Sequence, residues 1–467
     1  MSRRRPDGRA PPPQPLLFRP RQNDTIPQGN FARAGYRGVR LARSNRSIVA
    51  GIHRVPGDKS ITHRALLLAA LARGTSTLHG ALTSADARST AHVLRQLGAA
   101  ISPLRAGQPV TVRGHRRFAT PTGRLDCGNS GTTARLLLGL LAAHRFSAVV
   151  TGDASLRRRP MRRVTEPLVV MGARVTAAPH DGLPLTIRGG GLHPLDWRLP
   201  VASAQIKSAL LLAGAIAGVP VSLHEPAASR DHTERMLRHF GFDVESPRGG
   251  IRMKPTGRIT PFEIRIPGDP SSAIFLLAAA ALAERGSIAI EGVGLNPSRI
   301  GYLTVLDRMG IAVAMSPAGV AFGERHGTLL AAASALRAVT VDAIEVPGLI
   351  DEIPMLACLA ARAPGTSRFA GLAELRVKES DRLALLGLNL RNVGVAASVD
   401  GDDLIVTGSP SPLRGRVVTH GDHRIAMAFA VLGTQPGARI GIDDPACTAV
   451  SFPGFANTLA ALFPEAA

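Results

Sequence analysis

Arg54-Val-Pro-Gly-Asp-Lys-Ser60, followed by the apolar run Ala65-Leu-Leu-Leu-Ala-Ala-Leu-Ala72, returns further along the chain as Arg265-Ile-Pro-Gly-Asp-Pro-Ser271 followed by Ile274-Phe-Leu-Leu-Ala-Ala-Ala280. A chain that repeats its own signature is built of two related halves. Within each half a shorter grammar recurs: a polar loop with Gly, Ser, Asn or Asp, then a short apolar helix, then Gly and a β-branched strand. The openings are Gly57-Asp-Lys-Ser60, Gly128-Asn-Ser-Gly131, Ala202-Ser-Ala-Gln205, Gly268-Asp-Pro-Ser271, Ile350-Asp-Glu352 and Gly421-Asp-His-Arg424. Their spacing of roughly 65 to 80 residues fits a unit of two helices and several strands. Six units, three per half, predict an α/β protein of two domains joined twice, near Pro56–Asp58 and near Ile264–Asp269. The length of 467 residues agrees, being too great for one core.

Composition narrows the function. Aromatics make up only 4% of the residues, which argues against a stacking surface for single-stranded nucleic acid. The net charge of +22 is uneven: residues 1–46 hold eleven Arg against two Asp, leaving +13 for the remainder. That surplus would draw anions to any cleft it lined. The head itself has no hydrophobic periodicity and reads as a disordered, solvated tail, in preference to a nucleic-acid arm or a transit leader. Arg has displaced Lys so thoroughly that only Lys59, Lys207, Lys254 and Lys378 remain, which marks each as a functional candidate. Cys127, Cys358 and Cys447 are far apart and read as small buried residues, with no metal-ligand spacing. The apolar runs are about half the length that crosses a bilayer. With no secretory leader evident, the expected compartment is the cytoplasm.

The openings carry chemistry as well as caps. Helix N-termini favour Ser, Asp and Asn for capping alone, yet Lys59, Arg64, Gln205, Lys378, Arg382, His423 and Arg424 gather at these openings or at comparable loops. Several N-termini aimed at one cleft make an anion site. Lys59, Ser60 and Arg64 offer an ammonium, a hydroxyl and a guanidinium on consecutive turns. In Gly152–Arg163 five arginines crowd together; Arg159, extended before Pro160, is the one expected to face an anion. In Leu375–Arg382, Lys378 and Arg382 are read as one helical face, with Glu379 raised in pKa beside a bound anion so that it can donate a proton. Asp351 is read as a cap or a general base, and His423 as a hydrogen-bonded structural residue. Neither a Walker loop, a Gly-x-Ser-x-Gly elbow nor an HExxH pair is present.

Taken together, Gly57-Asp-Lys-Ser-Ile-Thr-His-Arg64, Gly128-Asn-Ser-Gly-Thr-Thr-Ala-Arg135, Arg159-Pro160-Met161, Ser203-Ala-Gln205, Arg376-Val-Lys-Glu-Ser-Asp-Arg382 and Gly421-Asp-His-Arg424 resemble, in order, the 5-enolpyruvylshikimate-3-phosphate synthases. The likeness runs over about residues 47 to 460. It implies the enolpyruvyl transferase fold, an inside-out α/β barrel with a pseudo-threefold set of βαβαββ units in each domain. Residues 47–57 plus 267–467 would form one domain and 58–266 the other. It implies transfer of the enolpyruvyl group of phosphoenolpyruvate to the 5-hydroxyl of shikimate 3-phosphate by addition–elimination, with no metal or organic cofactor. By position, Lys59, Ser60, Arg64, Ser203, Ala204, Gln205, Ser229, Asp351 and Lys378 resemble ligands of shikimate 3-phosphate. Lys59, Gly131, Arg159, Gln205, Arg382 and Arg424 resemble the phosphoenolpyruvate pocket. Asp351 is similar to the family's proton acceptor and Glu379 to its donor, and Lys59 is placed beside them as the third catalytic residue. Val450, Ala204 and Glu374 depart from the enterobacterial pattern, standing where Lys, Ser and Asn are found. Gly131 implies sensitivity to glyphosate.

Two rivals are weaker. A transferase acting on UDP-N-acetylglucosamine would share the fold, but the Arg157–Arg163 loop lacks that family's reactive Cys. A basic nucleic-acid-binding protein would explain the charge and nothing else. The expected partners are the two small substrates, with no nucleic acid, no membrane and a monomeric chain.

Overall fold

Six helices that are apolar on nearly every side decide the architecture. In the computed structural model, which describes residues 48–464, these are Lys59–Leu71, Gly131–Ala142, Ala204–Ala217, Pro270–Ala281, Ile353–Ala360 and His423–Leu432. They follow the six openings one for one. Every residue of Pro270–Ala281 is buried, as is every residue of Lys59–Leu71 from Ile61 onward. A helix without a polar face has to be wrapped, and here sheets wrap it from outside. The strands accordingly alternate, as Val110–Gly114 does between buried and exposed positions, which suits a sheet with one face on the core and one in water. The basic head, 1–46, lies outside the described residues.

The sheets repeat one topology. Leu125–Asp126 runs parallel to Ser147–Thr151, which pairs antiparallel with Leu185–Arg188, which pairs in turn with Arg174–Ala177. Leu195–Arg198, Val221–His224, Gly250–Lys254 and Asp243–Glu245 repeat it, as do Thr340–Val341, Thr366–Phe369, Asp403–Thr407 and Ala396–Asp400. With an apolar helix after the first strand and a more exposed one after the second, each is a βαβαββ unit. The sixth unit is shorter: among the described residues Arg414–Val417 pairs only with Arg439–Ile442. One hydrophobic core gathers side chains from Ile61 to Ile266, and a second gathers Val49 and side chains from Ala273 to Phe463.

The chain passes between the two cores at the two copies of its opening signature. There Gly57 and Gly268 form an antiparallel bridge. The contacts are reciprocal: Asp58 N donates to Pro267 O at 2.7 Å and Asp269 N donates to Pro56 O at 2.9 Å. Glycine is required, since a Cβ on Gly57 would lie 1.9 Å from Gly80 O. At each crossing an edge strand stays with the core it is leaving. Glu263–Arg265 completes the first-half sheet with Gly74–His79, while Ile48–Val49 completes a second-half sheet with Arg285–Gly294.

One side chain ties both crossings together. Arg299, buried, donates through Nη1 to Asp58 Oδ2 at 2.5 Å and through Nη2 to Asp269 Oδ1 at 2.8 Å. Asp58 also caps the Lys59 helix through Ile61 N, and Asp269 Oδ2 accepts from Lys59 N at 3.1 Å. Replacing Arg299 by Met would leave two buried carboxylates without a counter-charge. The expected cost is about 3–5 kcal/mol, read from urea unfolding; a loss under about 1 kcal/mol, the scale of an exposed pair, would show that the crossing does not depend on this clamp.

Candidate active site

The N-terminal ends of all six apolar helices meet. Lys59 and Ser60, Gly131 and Thr132, Ala204 and Gln205, Asp269, Asp351, and His423 with Arg424 line two adjoining cavities of about 140 and 90 Å³. The geometry follows from capping: Ser130, Asp269 and Asp422 accept from backbone N–H groups of their own helices. The remaining N–H groups and the positive dipole ends point inward. Larger cavities, of about 720, 640 and 460 Å³, lie elsewhere on the surface.

Asp351 is the electrostatic centre. Arg230 stands 2.9 Å away, Arg382 3.4 Å, Arg424 3.7 Å and Lys378 4.0 Å. Burial opposes the charged carboxylate, but Arg424, Arg230, Lys378 and Arg382 outweigh burial and hold Asp351 well below the usual carboxylate range. Glu379 sits 2.5 Å from Arg382 Nη2 and 3.9 Å from Arg159. Burial again pushes up, and Arg382, His423, Arg159 and Lys59 together pull it well below the usual range. Arg382 is fully buried and braced by Asp422 at 2.8 Å. Lys59 Nζ pairs with Asp86. Arg159 is extended ahead of Pro160 and donates to Asn129 Oδ1 at 2.8 Å.

On the shikimate-phosphate side of the expected set, Arg64 is buried, donating to Thr233 Oγ1 at 2.7 Å and Ser208 Oγ at 2.6 Å. Burial lowers its pKa to about 10. Gln205 accepts from Arg135 Nη1 at 2.7 Å and donates to Thr132 Oγ1 at 2.9 Å, and desolvation lowers the half-buried Arg135 to about 10.

Twelve of the fourteen residues picked from sequence line the paired cavities: Lys59, Ser60, Arg64, Gly131, Arg159, Ser203, Ala204, Gln205, Asp351, Lys378, Glu379 and Arg424. Arg382 stands behind the wall as a brace. Ser229 lines neither cavity, because its hydroxyl donates to Glu225 at 2.5 Å; its neighbour Arg230 lines the smaller one instead. Of the four lysines, Lys207 is spent on a buried pairing with Glu225 and Glu234, and Lys254 on an exposed one with Asp243. All three cysteines are buried and free, as read.

Three readings need correction. Lys378 and Arg382 do not share a helical face: the helix begins at Arg382, capped by Asp381, so Lys378 lies in the preceding loop. Asp351 is not a cap, since Glu352 holds that position. His423 is buried with neither ring nitrogen hydrogen-bonded, and burial lowers its pKa to about 4. Glu379, expected to rise beside a bound anion, is held low here by Arg382, His423, Arg159 and Lys59. Among the departures from the enterobacterial pattern, Val450 lines the separate 640 Å³ cavity with Arg88 and His92, whereas Glu374 meets Arg163 at 3.1 Å across the mouth. Sequence reasoning assigned no role to Arg230, Arg135, Asp86 or Arg299; Arg230 adjoins Ser229 and Arg135 closes a recognised motif, while the last two have no local signal. Among the described residues no group of His, Cys, Asp and Glu is placed to hold a metal.

This convergence of helix ends has counterparts. The family model for EPSP synthase (3-phosphoshikimate 1-carboxyvinyltransferase) matches residues 44–459. The chain belongs to the EPSP synthase family. Relatives named 3-phosphoshikimate 1-carboxyvinyltransferase include those of Gluconobacter oxydans, 48% identical over 89% of this chain and 95% of the relative, and Acidiphilium cryptum, 48% identical over 87% and 93%. Among solved structures, EPSP synthase from Acinetobacter baumannii superposes with a TM-score of 0.79 at 38% identity, covering 89% of this chain and 96% of that one. The enolpyruvyl transferase NikO from Streptomyces tendae shares the fold, with a TM-score of 0.71 at 18% identity over 89% and 95% of the two chains. The fold expected from the sequence is therefore the enolpyruvyl transferase fold.

In this EPSP synthase family member the depressed carboxyls make stability depend on acid. Asp351 and Glu379 have folded pKa values below those of the unfolded chain, so as pH falls the unfolded chain takes up protons first. Their contribution is present above the ordinary carboxylate pKa of about 4 and is lost below it. The melting temperature, followed by circular dichroism from neutral pH downward, should drop below about pH 4, with a shallower drop in Asp351→Asn.

Proposed function

We propose that the chain transfers the enolpyruvyl group of phosphoenolpyruvate to the 5-hydroxyl of shikimate 3-phosphate, releasing phosphate. The observation that carries this reading is the ring of four cations around Asp351, with Glu379 across the same pocket. Two phosphates and a carboxylate need such a ring, and the six helix ends add to it without reorganising. Membership of the family supports the reaction, and the arrangement of the pocket supports the roles that follow.

Lys59, Ser60, Arg64, Ser203, Ala204, Gln205 and Lys378 are assigned to shikimate 3-phosphate. Lys59, Gly131, Arg159, Gln205 and Arg424 are assigned to phosphoenolpyruvate, with Arg382 as a charged brace. Asp351, ionised at neutral pH, takes the proton from the 5-hydroxyl as its oxygen bonds to C2 of phosphoenolpyruvate. Glu379 gives a proton to C3. The resulting tetrahedral adduct expels phosphate as Glu379 takes a proton back from C3 and the C2–C3 double bond reforms. Arg382, His423, Arg159 and Lys59 hold Glu379 low. An anionic substrate among those groups cancels their field, and the carboxyl can then hold the proton it must deliver. For Ser229 to reach a substrate it must leave Glu225. Residues 58–266 and 47–57 plus 267–467 are taken as the two domains that close on the pair, in a monomeric cytoplasmic protein.

Phosphate release from phosphoenolpyruvate, with shikimate 3-phosphate or UDP-N-acetylglucosamine as acceptor, tests the reading. Release with shikimate 3-phosphate alone is expected; release with neither would overturn it. Asp351→Asn and Glu379→Gln should each lower kcat by about 10²- to 10⁴-fold, with shikimate 3-phosphate binding retained in the Glu379 variant.

Gly131 bears on inhibition. A Cβ there would come within 3.1 Å of both Arg135 Nη1 and Arg159 Nη1, so both guanidinium tips must give way. Gly131→Ala should raise the KM for phosphoenolpyruvate and weaken glyphosate inhibition more strongly. Unchanged inhibition in that variant would dissociate Gly131 from the inhibitor.

A further inference from the structure

Between the helices of the first half, one turn behind the pocket, lie four polar side chains, His63, Thr90, Ser130 and Thr133, each with 0% exposure. They are placed in register with the pocket. His63 follows Lys59 by four positions on one helix and Thr90 follows Asp86 by four on another, so each pair shares a helical face. Ser130 caps the helix that opens with Gly131. The Lys59–Asp86 ion pair and the Gly131 helix end thus rest on a second layer of polar groups.

That layer is a single chain. His63 Nδ1 lies 2.6 Å from Thr90 Oγ1, Thr90 Oγ1 lies 2.6 Å from Thr133 Oγ1, and Thr133 Oγ1 donates to Ser130 Oγ at 2.7 Å. A hydroxyl has one hydrogen to give, which fixes the direction throughout. Thr133 spends its hydrogen on Ser130, so Thr90 donates to Thr133 and accepts from His63 Nδ1–H. The other acceptor near Thr90, Asp86 O, is 3.5 Å away, beyond the ordinary hydroxyl range of about 2.5–3.0 Å. Burial, with Lys59 and Arg64 nearby, holds the His63 pKa well below its usual value. The imidazole is therefore neutral, and with Nε2 unpartnered its one hydrogen bond is to this chain.

A buried polar group adds little stability when paired and costs much when it is not, and aliphatic side chains would fill the same space. What a fully paired chain supplies is a unique arrangement. Arg64, on the shikimate-phosphate side, has ties of its own: it donates to Thr233 Oγ1 and Ser208 Oγ, and Thr233 Oγ1 donates to Ser208 Oγ at 2.7 Å. The geometry points to His63, Thr90 and Thr133 as positioning residues of the transfer reaction, whose chain fixes the spacing between the Lys59–Asp86 pair and the Gly131 helix end and so shapes the phosphoenolpyruvate side of the pocket. The inference rests on the assignment of that side proposed above. None of the three lines either cavity, so they act through Lys59, Asp86 and Gly131 and not on the substrate.

Steady-state kinetics of Thr90→Val, Thr133→Val and the double variant test this, with phosphate release as the assay and melting followed by circular dichroism. Valine has the shape of threonine without the hydroxyl. Each single variant should raise the KM for phosphoenolpyruvate by about tenfold and that for shikimate 3-phosphate far less. The double variant should match the worse single one, since a chain once broken is not broken further. Thr90→Ser, which keeps the hydroxyl, should keep the wild-type KM. Four results would overturn the inference: an unchanged KM for phosphoenolpyruvate, whatever the melting temperature; equal rises for both substrates; single effects that multiply in the double variant; or Thr90→Ser as impaired as Thr90→Val. A wild-type chain that releases no phosphate with shikimate 3-phosphate would instead overturn the reading of the pocket, and this inference with it.

Discussion

The buried guanidinium of Arg299 is the constraint on which the rest depends. Two carboxylates, Asp58 and Asp269, each cap a helix at a point where the chain passes between cores, and each would repel the other if left alone. Arg299 neutralises both and fixes their separation. Because Asp269 also accepts from Lys59 N, the clamp reaches the reactive pocket through a single peptide. Removing one member of such a buried set costs far more than its assembly gains, so crossing and pocket stand or fall together.

The pocket shows how a strongly basic protein keeps its cations useful. Water would screen exposed arginines, and carboxylates placed at random would neutralise them. Here the carboxylates are few and shared: Asp351 answers to Arg230, Arg382, Arg424 and Lys378 at once. Shared counter-charge leaves a net positive field, while keeping the side chains in fixed rotamers. Arg230 and Arg163 reach from the first half to Asp351 and Glu374 in the second, so the same ion pairs that shape the pocket also join its walls.

The helix openings could be read from sequence because each places short polar residues directly ahead of an all-apolar run, a pattern visible locally. The loop at Lys378 was misread for an equally local reason. Lys378 and Arg382 are four apart, which suggests one face, but Asp381 is itself a cap and starts a new helix after it. The low pKa of Glu379 had a local signal only in Arg382, three residues on, since His423, Arg159 and Lys59 come from distant segments. Neither did Arg299, whose neighbours Asn296-Pro-Ser-Arg299 form no motif. Strands of two or three residues, such as Ile48–Val49 and Glu263–Arg265, are too short for any periodicity to announce them.

Those two short strands have a consequence for biosynthesis. Ile48–Val49 leaves the ribosome ahead of everything else described, yet its partner Arg285–Gly286 is made only after the whole first half. The first half, closed by its own Glu263–Arg265, can complete its sheets while the second is still being translated. The early strand must stay unpaired throughout that interval, and the loop it finally closes encloses an entire folded body. The second half thus matures as a lid shut from both ends around finished work, and the order of translation, more than the order of the fold, determines which surface waits exposed.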